Sequence, residues 1–190
     1  DPTEVAGIPI FRNTVEGTQT EEINFVWEYE QSYGLYSFSL FTLDKVNQLD
    51  ASNTYEGEVS GVQLGLDMLV TKSLGLFTSA RYEIIKDELQ PDIDRNDFLL
   101  TLGLKHQSAN GFSAGITQYY RATEFDVDRE DEDIPITDVE FGYEFADKVG
   151  RVDLQIRNVF DEEFNWVVDR FTLVGRNPAR EVLLTATINF

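Results

Sequence analysis

The chain has 190 residues, which is enough for one domain of ordinary size or for part of a larger one. Its 35 Asp and Glu residues and 15 Lys and Arg residues give a formal charge of −20, which argues against a nucleic-acid partner because phosphate contacts need clustered cations. The absence of cysteine excludes disulfides and thiolate metal sites, and the single histidine, His106, leaves little scope for imidazole chemistry.

No run approaches the ~18 consecutive apolar residues of a membrane-spanning helix. The chain opens on Asp1-Pro2-Thr3-Glu4 rather than on a basic and then apolar signal segment. These observations exclude a helical membrane protein. They do not exclude a membrane β-barrel, because its strands need only ~10 alternating residues each and can be hydrophilic on average.

Apolar and polar residues alternate in nine successive stretches, with the two-residue period of half-apolar β-strands. In chain order these are residues 23–30, 36–41, 62–70, 74–84, 98–105, 112–120, 139–145, 152–157 and 182–190. No stretch has a convincing helical period. The sequence therefore predicts an all-β fold of about nine strands.

The links between these strands are alternately short and long. Short links lie near residues 31–34, 71–73, 107–111 and 146–150, and long polar links lie near 44–58, 86–96, 123–137 and 161–180. Transmembrane barrels have short periplasmic turns and longer extracellular loops. The alternation favours an antiparallel transmembrane β-barrel whose last strand ends on the periplasmic side.

Aromatic residues cluster at both ends of the predicted strands, as expected for side chains at the two membrane interfaces. Those near short links are Trp27, Tyr29, Tyr36, Phe112, Tyr143, Phe145 and Phe190, and those near long links are Tyr82, Phe98 and Tyr120. The apolar residues on one face of each predicted strand include no charge near the strand centre. A Lys or Arg there would cost about 2 to 4 kcal/mol in a bilayer. A soluble β-sandwich or lipocalin-like binding module is the alternative, although its outward face would normally carry charges.

Charged residues fall on the opposite face of the same strands, where a dry core could not accommodate them but a wide, hydrated or plugged lumen could. The residues expected to line this lumen are Asp67, Arg81, Glu83, Glu140, Glu144, Asp153 and Arg157, with Glu28, Glu30 and Lys105. Nine is an odd number, whereas bacterial single-chain barrels are normally even. We therefore expect residues 1–21 to be an outer entry segment and residues 22–190 to be the carboxyl-terminal strands of a larger barrel.

Three motifs resemble the closing strands of TonB-dependent receptor barrels: residues 138–145, residues 152–161 with their Asn-Val-Phe-Asp element, and the Arg/Pro-containing residues 176–180. Residues 57–64 resemble another strand of these barrels, so the resemblance spans roughly Glu56 to Phe190. It implies a Gram-negative outer-membrane transporter or receptor in contact with lipid and lipopolysaccharide. It also implies that Phe190 and Ile188 belong to the signal read by the barrel-assembly machinery, and that TonB would act through an upstream segment.

The opening of the chain, Pro2 to Gly7 with Phe11 and residues 16–18, resembles the start of the barrel in outer-membrane proteins that carry tetratricopeptide repeats. In that subgroup the plug and the TonB-coupling segment can be missing. This resemblance implies an alternative function, an export barrel that conducts a polymer such as a polysaccharide.

No residue pattern points to covalent chemistry, so we expect no catalytic residue, cofactor or metal site. The acidic run 124–133 lacks the spacing of an EF-hand loop and is typical of a solvated outer loop. His106 falls at a short-turn end, away from the outer rim where hydrolase sites of such barrels lie. Asn158 and Asp161 are predicted to bond to the local backbone and begin a loop. Arg176 and Arg180 are expected to pair with nearby acids rather than with an anionic ligand.

Overall fold

The computed structural model describes residues 3–5, 8–10, 18–50, 53–87, 94–126, 131–146, 149–163 and 179–188. The strands in this part of the chain are β1 (Thr3–Val5), β2 (Ile8–Ile10), β3 (Thr18–Gln31), β4 (Gly34–Asp50), β5 (Asn53–Thr71), β6 (Leu74–Asp87), β7 (Arg95–Gln107), β8 (Phe112–Phe125), β9 (Glu132–Glu144), β10 (Gly150–Arg157) and β11 (Glu181–Ile188).

Strands β3 to β11 form one antiparallel sheet in which every strand pairs with its neighbours in sequence. Strands β1 and β2 pair with each other in a separate two-stranded sheet. The prediction of an all-β chain with about nine strands is therefore confirmed. Among the described residues, no helix is long and apolar enough to cross a membrane.

The register places the alternating apolar residues of the predicted strands on one face of the sheet. Phe25, Leu40, Val62, Tyr82 and Phe98 are successive cross-strand partners from β3 to β7, and we call their side of the sheet the apolar face. Their sequence neighbours lie on the opposite side, the polar face, because side chains alternate along a strand. Large side chains of the apolar face are open to the surroundings, as Leu64 at 54% and Leu184 at 72% exposure show. Such an extended exposed apolar surface is unusual for a soluble monomer.

Several strands are longer than the sequence pattern predicts. Strand β4 continues to Asp50 and β5 begins at Asn53, so most of the predicted link 44–58 is a paired hairpin. Strand β9 begins at Glu132, inside the predicted link 123–137. These predicted links were wrong because backbone pairing continues where both faces are polar, and alternation of apolar residues then no longer marks a strand.

The short turns at one end of the sheet are connected by backbone hydrogen bonds. Leu69 N donates to Tyr33 O at 2.7 Å, Gln107 N to Ser73 O at 2.8 Å, and Glu144 N to Gly111 O at 2.9 Å. Gly111 has a φ of +89°, and a Cβ there would overlap the Glu144 carbonyl, so this turn requires glycine. Each of these turns is thereby tied to the end of a strand beyond its own hairpin.

Candidate functional site

The polar face carries the charged side chains of the sheet, and the most buried of them surround Asp97 on β7. Its carboxylate accepts hydrogen bonds from Thr123 Oγ1 at 2.7 Å, Arg121 Nη2 at 2.8 Å and Arg95 Nε at 3.2 Å. We call these four residues the Asp97 cluster. Asp97 and Thr123 are 3% and 2% exposed. Since an unpaired buried charge is strongly destabilising, the ion pairs of Asp97 with Arg95 and Arg121 allow these charges to be buried.

Arg81 on β6 lies next to the Asp97 cluster and is stacked against the sheet. It forms an ion pair with Glu83, which is the direct cross-strand partner of Asp97. The Arg81 guanidinium carbon lies 4.3 Å from the centre of the Phe41 ring, within cation–π range. Phe41 in turn lies across Gly61, where a Cβ would approach Phe41 Cζ to 2.6 Å. The glycine thus lets the ring and the guanidinium lie along the wall of the sheet.

A second group of charges lies toward the short turns and is more open. Lys105 Nζ contacts Glu140 Oε1 at 2.6 Å across the intervening strand β8, passing over Gly115. Arg151 Nε donates to both carboxylate oxygens of Asp153 at 2.8 Å. The Lys105 and Arg151 side chains are 50% and 45% exposed. Salt bridges this exposed contribute little to stability.

Beside these pairs is a polar recess of about 270 Å³. Its polar lining comes from Ser113, Glu140, Arg151, Asp153, Gln155 and Thr185. Gly142 forms its floor, and a Cβ there would lie 2.5 Å from Ser113 Oγ and 2.6 Å from Asp153 Oδ1. The recess offers hydrogen-bond donors and acceptors to a polar ligand and no nucleophile paired with a base.

The basic and acidic residues of the polar face are not evenly matched. Each of Arg81, Arg95, Lys105, Arg121 and Arg151 contacts an acid, and Arg157 approaches Glu181 at 3.6 Å. By contrast, Glu22, Glu28, Glu30 and Asp67 on β3 and β5 form no ion pair with another described residue. These four acids give the polar face of β3 and β5 an excess of negative charge.

The residues predicted from sequence do not form one site. Arg81 and Glu83 adjoin the Asp97 cluster, Glu140 and Asp153 line the recess, and Arg157 lies at the start of the loop before β11. Asp67 on β5 lies apart from both groups, whereas Glu144 at the end of β9 is the direct cross-strand partner of Arg151. Asp97 and Arg121 are not among the predicted residues because they lie just outside the predicted strands 98–105 and 112–120. They alternate with Phe98 and Tyr120, which is the signal that would have found them.

Asn158 and Asp161 do begin a loop, and they do so through bonds that also reach other strands. Both have a positive φ, 50° and 59°. Asn158 N donates to Asp138 Oδ1 on β9 at 2.9 Å, and the Asn158 amide group exchanges two hydrogen bonds with the backbone of Glu162. Asp161 Oδ1 accepts from Arg180 N at 2.7 Å, immediately before β11. We call Asp138, Asn158 and Asp161 the motif clasp.

The remaining sequence candidates add no site among the described residues. His106 lies at the short-turn end of β7, opposite Leu74 and Ala114. The described part of the chain contains no group of three or more His, Cys, Asp or Glu side chains suited to a metal ion. Residues 127–130 of the acidic run, together with Arg176 and Phe190, lie outside the described residues.

Comparison with known proteins defines the class of this fold. The chain has the fold of part of a TonB-dependent receptor barrel, as its closing motifs predict. It is similar to the open form of the ferric-catecholate import receptor Fiu from E. coli K12, with 19% identity, a TM-score of 0.56, and coverage of 91% of this chain and 26% of that chain.

A second similar structure is P. aeruginosa FpvA in complex with a pyoverdine and iron, with 13% identity, a TM-score of 0.57, and coverage of 91% of this chain and 27% of that chain. The chain thus spans about a quarter of the length of these two receptors. No protein-family model matches the sequence, and no curated protein sequence matches it. The similarity to these two receptors therefore concerns the fold alone.

Proposed function

We propose that the chain is part of the barrel of a Gram-negative outer-membrane transporter or receptor, and that its polar face lines the lumen in which a substrate binds or moves. The observation that carries this proposal is the division between the two faces. The wall residues would be those expected from sequence, Asp67, Arg81, Glu83, Glu140, Glu144, Asp153 and Arg157, joined by the Asp97 cluster.

The distribution of charge on the apolar face supports a lipid environment. Its charged residues lie toward the long-link ends of the strands, as Glu21, Asp44, Glu58, Lys86 and Glu124 do. The central residues of this face on β3 to β8 carry no charge. A bilayer requires such an uncharged band, with polar groups only near the interfaces, where lipopolysaccharide would be the outer partner.

The polar face supports passage or reversible binding rather than catalysis. Its basic groups contact acids, and its open recess presents hydrogen-bonding groups on the sheet. Wall contacts of this kind position a polar solute without forming a covalent bond. Likeness to an import receptor favours import as the direction of transport, with TonB acting through a segment outside this chain.

Cysteine accessibility in the full-length protein tests the proposal, since this chain contains no cysteine of its own. A cysteine that replaces Asp67 should react with a water-soluble, membrane-impermeant maleimide when the reagent has access to both sides of the outer-membrane vesicles. Cysteine at Leu64, on the apolar face, should react instead with a lipid-soluble maleimide. Equal reaction of both positions with the soluble reagent, or a protein that stays folded and monomeric in water without detergent, would overturn the proposal.

The export alternative rests on the opening residues, whose resemblance is to barrels fused to tetratricopeptide repeats. Helical repeats of about 34 residues ahead of this chain would favour it, whereas a plug with a TonB-coupling segment would favour uptake. Reading the sequence upstream of Asp1 separates the two.

A further inference from the structure

Strand β11 lacks the two-residue turn that sets the register of several other hairpins in the sheet. Strands β3 and β4, and β5 and β6, are joined by two residues, and so short a turn fixes which residues face each other. The 23 residues between Arg157 and Glu181 are too long a link to do this. Among the described strands, β11 pairs only with β10.

The side-chain pattern of β11 does not fix its register either. Val182, Leu184, Ala186 and Ile188 alternate with Leu183, Thr185 and Thr187. A slip of two residues along β10 would keep each set on its own face, because the side-chain period is two. The Arg157–Glu181 ion pair, at 3.6 Å and with both side chains about half exposed, opposes such a slip only weakly.

Specific bonds at the entrance to β11 do single out one register. Asp161 Oδ1 accepts from Arg180 N, one residue before β11 begins, while Asn158 binds both backbone groups of Glu162. The end of β10 is itself fixed to β9, through the bond from Asn158 N to Asp138 Oδ1 and the bond from Val159 N to Thr137 O. The clasp therefore connects β9 with the end of β10 and with the start of β11.

We propose that the motif clasp sets the register of the terminal strand β11 on β10, with Asp161 as the residue that selects it. A slip by two residues would move the end of β11 by about 7 Å along the sheet. The clasp would thus determine the height at which the chain beyond Ile188 emerges. This inference concerns strand placement and stands independently of the proposed transport function.

Disulfide trapping in the full-length protein reports the register directly. Gln155 faces Leu183 in the observed register, whereas a two-residue slip would bring it opposite Thr185 or Glu181. Cysteine pairs 155/183, 155/185 and 155/181 can be oxidised in membranes, denatured and digested with trypsin. Cleavage after Arg157 and Arg180 separates the two cysteines, so mass spectrometry identifies each cross-link. Direct cross-strand pairs come close enough for a disulfide, whereas diagonal pairs do not.

With the clasp intact, only the 155/183 pair should cross-link efficiently. Asp161→Gly removes the acceptor without penalising the positive φ, and it should raise the yield of a slipped pair at least tenfold. Asp161→Asn retains Oδ1 and should behave as the unaltered protein does. Asp126→Gly, which removes an exposed carboxylate from the end of β8, is the matched control and should leave the pattern unchanged.

If Asp161→Gly and Asn158→Gly both give only the 155/183 cross-link, the proposal is overturned. If Asp161→Gly does not accumulate in the membrane, it is combined with the 155/183 cysteine pair under oxidising assembly conditions. Restored accumulation supports the proposal, because the disulfide imposes the register that the clasp would select. Failure of the disulfide to restore it overturns the proposal.

Discussion

The Asp97 cluster and the charge pairs around the polar recess lie on the same face of the same sheet, yet they differ in exposure to solvent. The Asp97 side chain is 4% exposed and contacts three donors, whereas the side chains of the Lys105–Glu140 and Arg151–Asp153 pairs are between 33% and 50% exposed. Buried charges depend on one another, because each would be left desolvated without its partner. Open charges can exchange a protein partner for water or a solute at little cost.

This difference in exposure assigns different roles to the two groups. The Asp97 cluster is expected to stabilise the β6–β8 part of the wall, and the recess is expected to offer exchangeable contacts to a substrate. The largest effects on stability should therefore come from the Asp97 cluster and from the apolar face, and the smallest from the recess.

Removing the Asp97 carboxylate should have the largest effect. Asp97→Ala leaves Arg95 and Arg121 near each other without their shared anion, and breaking a buried pair in this way costs about 3 to 5 kcal/mol. Chemical unfolding in detergent micelles, followed by heat-modifiable migration on gels, measures the loss. Asp153→Ala at the recess is the control and should lose less than about 1 kcal/mol. Equal losses at the two sites would contradict the division.

A cation on the apolar face should have the next largest effect. Leu64→Arg places a charge in the uncharged band and should destabilise the barrel in lipid vesicles by about 2 to 4 kcal/mol. Val26→Arg is its matched control, because Val26 is 54% exposed on the polar face of β3 and faces Ser39, next to the Phe38 that faces Leu64. A similar loss for both variants in reversible unfolding from vesicles would contradict the assignment of only the apolar face to lipid.

Substitution of a glycine that lies beneath a large side chain of the polar face should have an intermediate effect on stability. A Cβ at Gly103 would overlap the Phe77 ring, so Gly103→Ala should push the ring off the sheet and cost about 1 to 3 kcal/mol by overpacking. Gly57→Ala is the control, because a Cβ there would make only ordinary contact, 3.5 Å from Lys86 O. Thermal unfolding of both variants in micelles measures the difference in stability. A Gly103→Ala variant as stable as Gly57→Ala would contradict the prediction.

The division of the sheet into two faces was predictable from sequence, whereas the partners within the polar face were not. Phe98, Leu100, Leu102 and Leu104 show their common face by spacing alone, because the side-chain period is a property of any strand. Pairing Asp97 with Arg121 requires the register of β7 on β8 and the placement of Arg95 and Arg121 around one carboxylate. That placement depends on three-dimensional packing.

The hydrogen bonds of the motif clasp were likewise only partly predictable from sequence. The local part, Asn158 and Asp161 bonding near their own loop, follows from the preference of short polar side chains for turns and positive φ. The longer-range bonds, to Asp138 on β9 and to Arg180 before β11, join residues about 20 positions apart. Single-sequence patterns carry no information on which distant strands meet at a loop.

The smallest effect on stability is expected at the Lys105–Glu140 pair, and this prediction tests the role of the recess most closely. A double-mutant cycle of Lys105→Ala and Glu140→Gln should give a coupling free energy of only about 0.2 to 1 kcal/mol, because both side chains are open to solvent. The same variants should change uptake or binding of a charged solute through the full-length barrel, while variants of the acids on β3 serve as controls for the overall charge. Because the pair contributes little to folding, a change in transport without a change in unfolding would show that these charges act on the solute. A coupling free energy as large as the loss of stability in Asp97→Ala would instead show that the pair stabilises the sheet.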